Sequence, residues 1–263
     1  MNFAISLAHI GFKKGQTVAI CSENRSEFLK VIVGVACAGG VITTINPAYV
    51  EAEMHHVMKI SKPKYIVCSP DAYKQHAKTF KSLQHVHKII LFGNVKVAGT
   101  LSYNDLTIPA NNFKKGDDIF NGQLMRNVDY EEFKAVDVKG QTDTLIILYS
   151  SGTTGMPKGV MLTHLNVLTV CCFVGQLEAI TSLEITPWFH TMGLMGALRG
   201  LSSTKTILFL PKFEVDLYLR TIEKFKVSKQ KKKVYFKYLP YNRQQLVIFM
   251  SFHKFSLSNK FLF

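Results

Sequence analysis

The feature that most constrains the fold is a regular alternation of short β-branched runs with helix-compatible segments, beginning at Thr17. The run TVAIC at Thr17–Cys21 predicts a strand, residues 27–38 predict a helix with Asn24 and Ser26 as candidate N-caps, and Val41–Ile45 predicts the next strand. The pattern continues with a helix at 50–60, a strand at 65–68, a helix at 72–83 and a strand at 88–92. Such alternation is typical of an α/β fold with a parallel sheet flanked by helices.

A second α/β run follows a polar stretch at residues 94–140, which predicts a long connection with little regular structure. The apolar run TLIILY at 144–149 predicts a buried strand. Beyond it the sequence predicts a helix at 165–177, a strand at 183–186, a helix at 192–201, a strand at 206–210 and an amphipathic helix at 215–225.

The net charge of +14 is concentrated at the end of the chain. Residues 228–263 contain eight Lys or Arg and no Asp or Glu, and they show no sustained helical or strand period. Their Lys, Phe, Tyr and Asn content resembles translated AT-rich non-coding sequence. We therefore predict a partial domain at 1–227 and an irregular basic aromatic tail at 228–263 that is unrelated to it.

The cysteines and the hydropathy argue against several classes of protein. The five cysteines show neither a CxxC pair nor the spacing of a zinc site, and we expect buried thiols in a reducing compartment. No uncharged apolar stretch reaches the roughly 18 residues that a transmembrane helix requires. The N-terminus lacks the basic start and cleavage site of a signal peptide.

One short segment, residues 150–158, concentrates the chemistry of phosphate binding; we name it the Ser/Thr/Gly loop. It directly follows a predicted buried strand, where active-site loops of α/β folds lie. Lys158 supplies a positive charge on a long side chain. Four hydroxyls can donate to phosphate oxygens: Ser150, Ser151, Thr153 and Thr154. Three glycines permit close approach and a nest of backbone N–H groups: Gly152, Gly155 and Gly159.

The loop differs from two common nucleotide-binding motifs. A Walker loop needs G-x-x-x-x-G-K-[ST] leading into a helix, but here Pro157 precedes Lys158 and residues 160–162 continue as a strand. The dinucleotide motif G-x-G-x-x-G is also absent from the loop. The alternative is a surface turn rich in Ser, Thr and Gly. The convergence of hydroxyls, glycines and a lysine after a buried strand favours phosphate binding.

The loop and its surroundings resemble the AMP-forming acyl-CoA synthetase family, which includes coumarate–CoA ligase and firefly luciferase. The run SSGTTGMPKGVMLTH is similar to the AMP-binding signature of this family, and TPWFHTMGL is similar to its P-x-x-H-x-x-G segment. GFKKGQTVAICSENRSEF and LPKFEVDLYLRTIEKFKV resemble flanking segments. The resemblance covers residues 5–227 and implies part of the large N-terminal domain of the adenylate-forming fold.

The resemblance also implies roles for individual residues. Lys158 and His190 would take part in catalysis, Lys158 at the phosphates and His190 beside the acyl and adenylate site. Thr154 would lie close to Mg²⁺. The implied cofactors are ATP, Mg²⁺ and coenzyme A, and the substrate is a carboxylic acid. The residues implied to hold the nucleotide are Ser150, Ser151, Gly152, Thr153, Thr154, Gly155 and Lys158.

Several neighbouring residues admit a structural interpretation. Thr163 is a good helix cap, so Thr163 and His164 are expected to begin a helix. The histidine pair His55 and His56 is expected to be solvated on a helix. The apolar residues beside His190 either line an acyl pocket or pack in the core: Trp188, Phe189, Met192 and Gly193.

Later segments of the family have no counterpart here. We find no Y-G-x-T-E run for adenine and magnesium, no T-G-D segment for ribose, and no C-terminal domain with its adenylation lysine. We therefore expect the chain as given to fold poorly and to be inactive. It would be either a truncated ligase from a gene model with a retained intron, or a non-catalytic nucleotide-binding fragment.

Two further alternatives remain open at this point. A complete protein could be a luciferase-like monooxygenase. The run KQKKK at 229–233 could instead mark a basic nucleic-acid or membrane-binding protein, but we expect no nucleic-acid partner because the charge lies outside the organised part. An intact form is expected in the peroxisome or the cytoplasm, although this chain ends in KFLF without the S-K-L signal.

Overall fold

The computed structural model describes residues 1–107, 134–150, 155–172, 181–203 and 206–227, together with the backbone of 248–250. The chain divides into two compact units. Unit 1 consists of Met1–Ser22 and Glu27–Asn166, and unit 2 consists of Glu23–Ser26 and Val167–Phe263. The predictions for 108–133, for the end of the helix at 165–177 and for most of the tail lie outside the described residues.

Unit 1 is built on a seven-stranded sheet in the order β5-β4-β3-β1-β2-β6-β7. Neighbouring strands are parallel from β5 to β6, and β7 returns antiparallel to β6. The prediction of a parallel α/β sheet is thereby confirmed. The strands are β1 Thr17–Cys21, β2 Val41–Ile45, β3 Tyr65–Cys68, β4 Lys88–Leu91, β5 Leu101–Ser102, β6 Thr144–Ser150 and β7 Lys158–Thr163.

Four helices accompany this sheet: α1 Asn2–His9, α2 Ser26–Cys37, α3 Glu51–Ser61 and α4 Pro70–Ser82. Helix α4 begins two residues before the predicted start, because Ser69 caps it. The Ser69 hydroxyl accepts a hydrogen bond from Ala72 N at 3.3 Å, and Pro70 occupies the first turn, where its missing N–H costs nothing. Strand β5 falls within the stretch that we predicted to lack regular structure.

The core of unit 1 lies between the sheet and its helices. All four residues of β3 are buried, as expected for a parallel strand covered on both faces. Helices α3 and α4 bury Met54, Val57, Met58 and Phe80 against one face of the sheet. Each large apolar side chain buried in this way contributes roughly 1.5–3 kcal/mol to folding.

The cysteines only partly match the prediction of buried thiols. Cys21 and Cys68 are buried in the core of unit 1, whereas Cys37 and Cys171 are half-buried. The prediction is wrong for Cys172, which is exposed. All five thiols are free.

Unit 2 contains a smaller sheet in the order β10-β9-β8. Its strands are β8 Ser182–Glu184, β9 Ile207–Phe209 and β10 Ile248–Met250, and its helices are α5 His164–Cys172, which starts in unit 1, α6 Thr191–Ser202 and α7 Val215–Phe225. Strands β8 and β9 are parallel, and the β10 backbone pairs antiparallel with β9. Strand β10 lies in the tail, for which the sequence predicts no strand. Within the described ranges, no helix is long and apolar enough to cross a membrane.

Two histidines of unit 1 have a pKa below the ordinary histidine value. Burial lowers the pKa of His85 below its ordinary value of 6.5, and the charges of Lys64 and Lys62 lower it further. Burial also lowers the pKa of His164; Asp143 opposes this shift and Lys14 adds to it. A depressed histidine pKa contributes stability that is present above the unfolded pKa and is lost as the pH falls below it.

We therefore expect the urea concentration at the midpoint of unfolding to decrease when the pH is lowered from about 7.5 to about 5. This range spans the ordinary histidine pKa of ~6.5. His85→Gln and His164→Gln should each make the midpoint less dependent on pH, because each removes a group that must bind a proton on unfolding. His9→Gln, at an exposed position in α1, is the matched control. Identical pH profiles for all four proteins would contradict this assignment.

Candidate functional site

The Ser/Thr/Gly loop connects the two strands of a β-hairpin at the end of the large sheet. Strand β6 lies parallel to β2, with Thr43 opposite Ile147. Strand β7 returns antiparallel, and the last register pair is Ser150 opposite Lys158. The hydroxyl at the start of the loop and the ammonium at its end therefore extend from paired strand ends.

The structure describes only part of the predicted phosphate site. Ser150 and Lys158 are both exposed, and Gly155 has a positive φ of 124°, which side chains strongly disfavour. The predicted strand after the loop is confirmed, and Lys158 is its first residue. Four predicted site residues lie outside the described residues: Ser151, Gly152, Thr153 and Thr154.

Tyr149 fixes the strand that leads into the loop. Its hydroxyl lies 2.9 Å from the Thr43 hydroxyl and donates to the backbone oxygen of Val57 in α3 at 3.0 Å. Burial raises the pKa of Tyr149 above its ordinary value of 10.0, so the phenol keeps its proton and remains a donor. The residue before the loop is thus tied to both a strand and a helix.

Helix α3 also contacts the far end of the loop. His56 Nε2 lies 2.9 Å from the Pro157 oxygen, and this nitrogen must carry the hydrogen because a carbonyl can only accept. Gly159 packs so closely on the helix that a Cβ there would lie 2.9 Å from the Ile60 side chain. The expectation of a solvated His56 is therefore wrong, since its ring is half-buried against the loop.

Thr163 begins helix α5 as predicted. Its hydroxyl accepts from Asn166 N at 3.2 Å, and Asn166 Oδ1 accepts from Thr163 N at 3.0 Å. This reciprocal pair satisfies backbone donors at the helix start. His164 follows as the first helical residue, so both residues have the structural role that we predicted.

Asn24 is the residue whose role sequence reasoning missed in unit 2. Its buried amide donates to the oxygens of Thr186 at 3.2 Å and Leu210 at 3.3 Å, and its Oδ1 accepts from Trp188 N at 2.7 Å. The predicted role as a helix cap is wrong, because these three bonds occupy the side chain. They fix the ends of β8 and β9 around the segment that carries His190.

His190 caps helix α6. Its Nδ1 accepts from Met192 N at 3.3 Å, which leaves Nε2 for an external partner when the ring is neutral. The side chain is exposed, and it lies at a helix N-terminus, where the backbone dipole favours a negative ligand. Gly193 allows the first turn to pack on the Thr186 and Pro187 carbonyls, where a Cβ would clash.

The apolar residues beside His190 have different positions. Trp188 is fully buried and packs on Phe209 with ring centroids 4.8 Å apart, so it belongs to the core. Met192 is 61% exposed, and Phe189 is half-buried. Of these three residues, Met192 and Phe189 therefore present apolar surface that a ligand at His190 could contact.

The two predicted catalytic residues lie in different units, Lys158 in unit 1 and His190 in unit 2. In the part of the chain that the structure describes, no group of three or more His, Cys, Asp or Glu side chains is arranged to hold a metal ion. The predicted metal ligand Thr154 lies outside the described residues.

Replacing Asn24 tests the frame around His190. We expect Asn24→Ala to lower the free energy of unfolding by about 2–4 kcal/mol, because it removes the donors to two carbonyls and the acceptor for Trp188 N. Trp188 is the only tryptophan in the sequence, so its fluorescence during urea unfolding reports directly on this region. Asn46→Ala, which removes a single exposed bond to Ala48 N, is the control and should cost less.

Comparison with known proteins places these observations in context. The family model described as AMP-binding enzyme matches residues 1–229. Over 235 residues the chain is 31% identical to a protein of Dictyostelium discoideum named "probable 4-coumarate–CoA ligase 1", and over 233 residues it is 28% identical to the luciferin 4-monooxygenase of Photuris pensylvanica. Each alignment takes in 86% of this chain, but only 41% and 40% of the respective relatives.

The fold is also similar to that of a solved luciferase structure. The natural red emitting luciferase of Phrixothrix hirtus superposes with a TM-score of 0.74 at 26% sequence identity. The match covers 86% of this chain and 53% of the luciferase chain. This chain therefore spans about two fifths of the length of the curated relatives named above and about half of that solved chain.

Proposed function

Because this chain belongs to the AMP-binding enzyme family, we propose that it supplies the nucleotide-phosphate part of an acid–thiol ligase. The protein that carries it would activate a carboxylic acid with ATP and transfer the acyl group to coenzyme A. The observation that carries this proposal is the hairpin that places Lys158 opposite Ser150 at the ends of a loop rich in hydroxyls and glycines.

The proposed reaction has two steps. A carboxylate oxygen attacks the α-phosphorus of ATP, and the bond to pyrophosphate breaks to leave an acyl-adenylate. The thiol of coenzyme A then attacks the acyl carbon, loses its proton and displaces AMP. The acid is already ionised near neutral pH, so the first step needs no general base.

The difficulty of the first step is the approach of an anion to a polyanion. Lys158 and the loop hydroxyls and N–H groups would offset this repulsion by fixed charges and dipoles aimed at the phosphates. Support comes from the two contacts of α3, which hold the strand before the loop and the residue before Lys158.

The resemblance to the family also implies that Mg²⁺ binds with the ATP phosphates. When bound, Mg²⁺ would neutralise charge on the phosphates, with the Thr154 hydroxyl close to it. The residues of this chain that act on the phosphates are those of the loop.

We assign His190 to the acid substrate. Its Nε2 has no hydrogen-bond partner among the residues that the structure describes; this nitrogen and the N-terminus of α6 together favour a carboxylate, and Met192 and Phe189 supply apolar surface beside it. A cytoplasmic or peroxisomal location for the protein that carries this chain is consistent with its free thiols.

Two alternatives share the same nucleotide site. The similarity to a luciferin 4-monooxygenase favours one of them, in which oxygenation of the acyl-adenylate replaces transfer to coenzyme A. In the other alternative, the chain binds a nucleotide without catalysis. The three functions predict different outcomes. A ligase transfers the acyl group to coenzyme A, a luciferase-like monooxygenase emits light with luciferin, and a non-catalytic fragment only binds ATP.

The first test replaces Lys158. In a chimaera that joins residues 1–227 to the remaining part of the Dictyostelium relative, Lys158→Ala should lower ATP–pyrophosphate exchange by about 100-fold, the cost of losing one transition-state contact. Lys88→Ala, at an exposed position at the start of β4, is the matched control. ATP binding to the 263-residue chain itself is the second measurement. Unchanged exchange and unchanged ATP binding would refute the role of Lys158.

The second test separates the two roles of His190. His190→Asn keeps a good helix cap but removes the imidazole, whereas His190→Ala removes both. We expect both variants to raise the KM for the acid at least about tenfold, by ~1.4 kcal/mol, with little change in the KM for ATP. Only His190→Ala should also lower stability. A larger effect on ATP than on the acid would contradict this assignment.

A further inference from the structure

A cavity of about 480 Å³ in unit 1 is lined by basic side chains that the proposed ligase reaction does not use. Its basic residues are His55, His56 and Lys59 of α3, Lys62 just beyond that helix, and His85 after α4. We name these five residues and the space between them the basic cavity. Lys158 does not line it, although Met156 of the Ser/Thr/Gly loop does.

The helical repeat explains why the basic residues lie together. His55, His56 and Lys59 are spaced by three and four residues, which places them on one face of a helix. Met54, Val57 and Met58 occupy the opposite face and are fully buried against the sheet. The apolar face therefore fixes how α3 is rotated, and this rotation presents the basic face to the cavity.

The positive charge of the basic cavity has little opposition. Among the residues that the structure describes, no carboxylate lines it. Within the described ranges, neither Lys59 nor Lys62 forms an ion pair, whereas the Glu51 carboxylate lies 3.9 Å from His55 Nε2. A solvated helix face would show the same spacing of basic residues, so spacing alone does not distinguish a binding site from an ordinary surface.

His85 has a feature that an ordinary solvated helix face does not explain. Its Nε2 is buried and has no hydrogen-bond partner among the described residues. This residue comes from a different segment of the chain and lines the same cavity. A buried polar atom without a partner is uncommon and costs roughly 1–3 kcal/mol, a cost that a hydrogen-bonding ligand would remove once the ring turns this nitrogen toward the cavity.

The charged groups that act on His85 are also positive. After burial, the positive charges of Lys64 and Lys62 are the causes that lower the pKa of this ring. No acidic group contributes to the shift. The potential at the His85 ring is therefore positive, and a negative ligand would be attracted to it.

We propose that the basic cavity is a second phosphate-binding site, distinct from the Ser/Thr/Gly loop. Lys59, Lys62 and the His85 ring donate to the oxygens of a phosphate, either inorganic or as a monoester. Phosphate oxygens accept several charge-assisted hydrogen bonds at once, which suits donors that converge from separate segments.

The test is calorimetric titration of the 263-residue chain at low ionic strength with inorganic phosphate and, separately, with methyl phosphate. We expect Lys59→Met to raise the Kd about tenfold, which corresponds to ~1.4 kcal/mol. Lys59 is exposed, so this variant should fold normally. His85→Gln is the second variant and should weaken binding in the same direction. A preference for one titrant identifies free or esterified phosphate as the source.

Two controls distinguish this site from the proposed nucleotide site and from general surface charge. Lys158→Ala tests whether phosphate binds at the Ser/Thr/Gly loop instead, whereas Lys30→Met, at an exposed position in α2, controls for loss of any one positive charge. The proposal is overturned if the native chain does not bind phosphate. It is also overturned if Lys158→Ala abolishes binding while Lys59→Met does not, or if Lys30→Met and Lys59→Met weaken binding equally.

Discussion

The hydroxyl of Tyr149 makes the contact on which the position of the Ser/Thr/Gly loop depends. It joins β6, which carries Tyr149, to Thr43 in β2 and to the Val57 carbonyl in α3. Strand β6 is a parallel neighbour of β2, and a shift by one residue would turn the Tyr149 side chain to the other face of the sheet. The phenol therefore fixes the register of β6, and the register fixes where the loop begins.

The same helix fixes where the loop ends. His56 donates to Pro157, and Gly159 allows α3 to lie directly against β7. Both ends of the loop are therefore positioned by one helix, α3, whose apolar face is buried on the sheet. The phosphate site that we propose at this loop would require such fixed ends, because backbone N–H dipoles stabilise charge only when they are already oriented. In unit 2, the buried amide of Asn24 has the equivalent role for the segment before His190.

The difference between local and long-range information explains which features the sequence could predict. Strands β1 to β4 are recognised from short β-branched runs, and the loop is recognised from its hydroxyls, glycines and lysine. The start of α4 was also present locally in Ser69-Pro70, although we placed it two residues late. By contrast, Asn24 bonds partners more than 160 residues away, and His56 and Tyr149 bond partners 101 and 92 residues away. No periodicity encodes such pairs, so Asn24 was interpreted as a helix cap and His56 as a solvated residue.

Helix α3 connects the two phosphate sites that we propose. Its His56 lines the basic cavity and also contacts Pro157, the residue before Lys158. By linkage, any effect of a phosphate in the basic cavity on nucleotide binding at the loop must equal the effect of the nucleotide on phosphate binding in the cavity. The contact between His56 and Pro157 would couple the occupancy of one proposed anion site to that of the other.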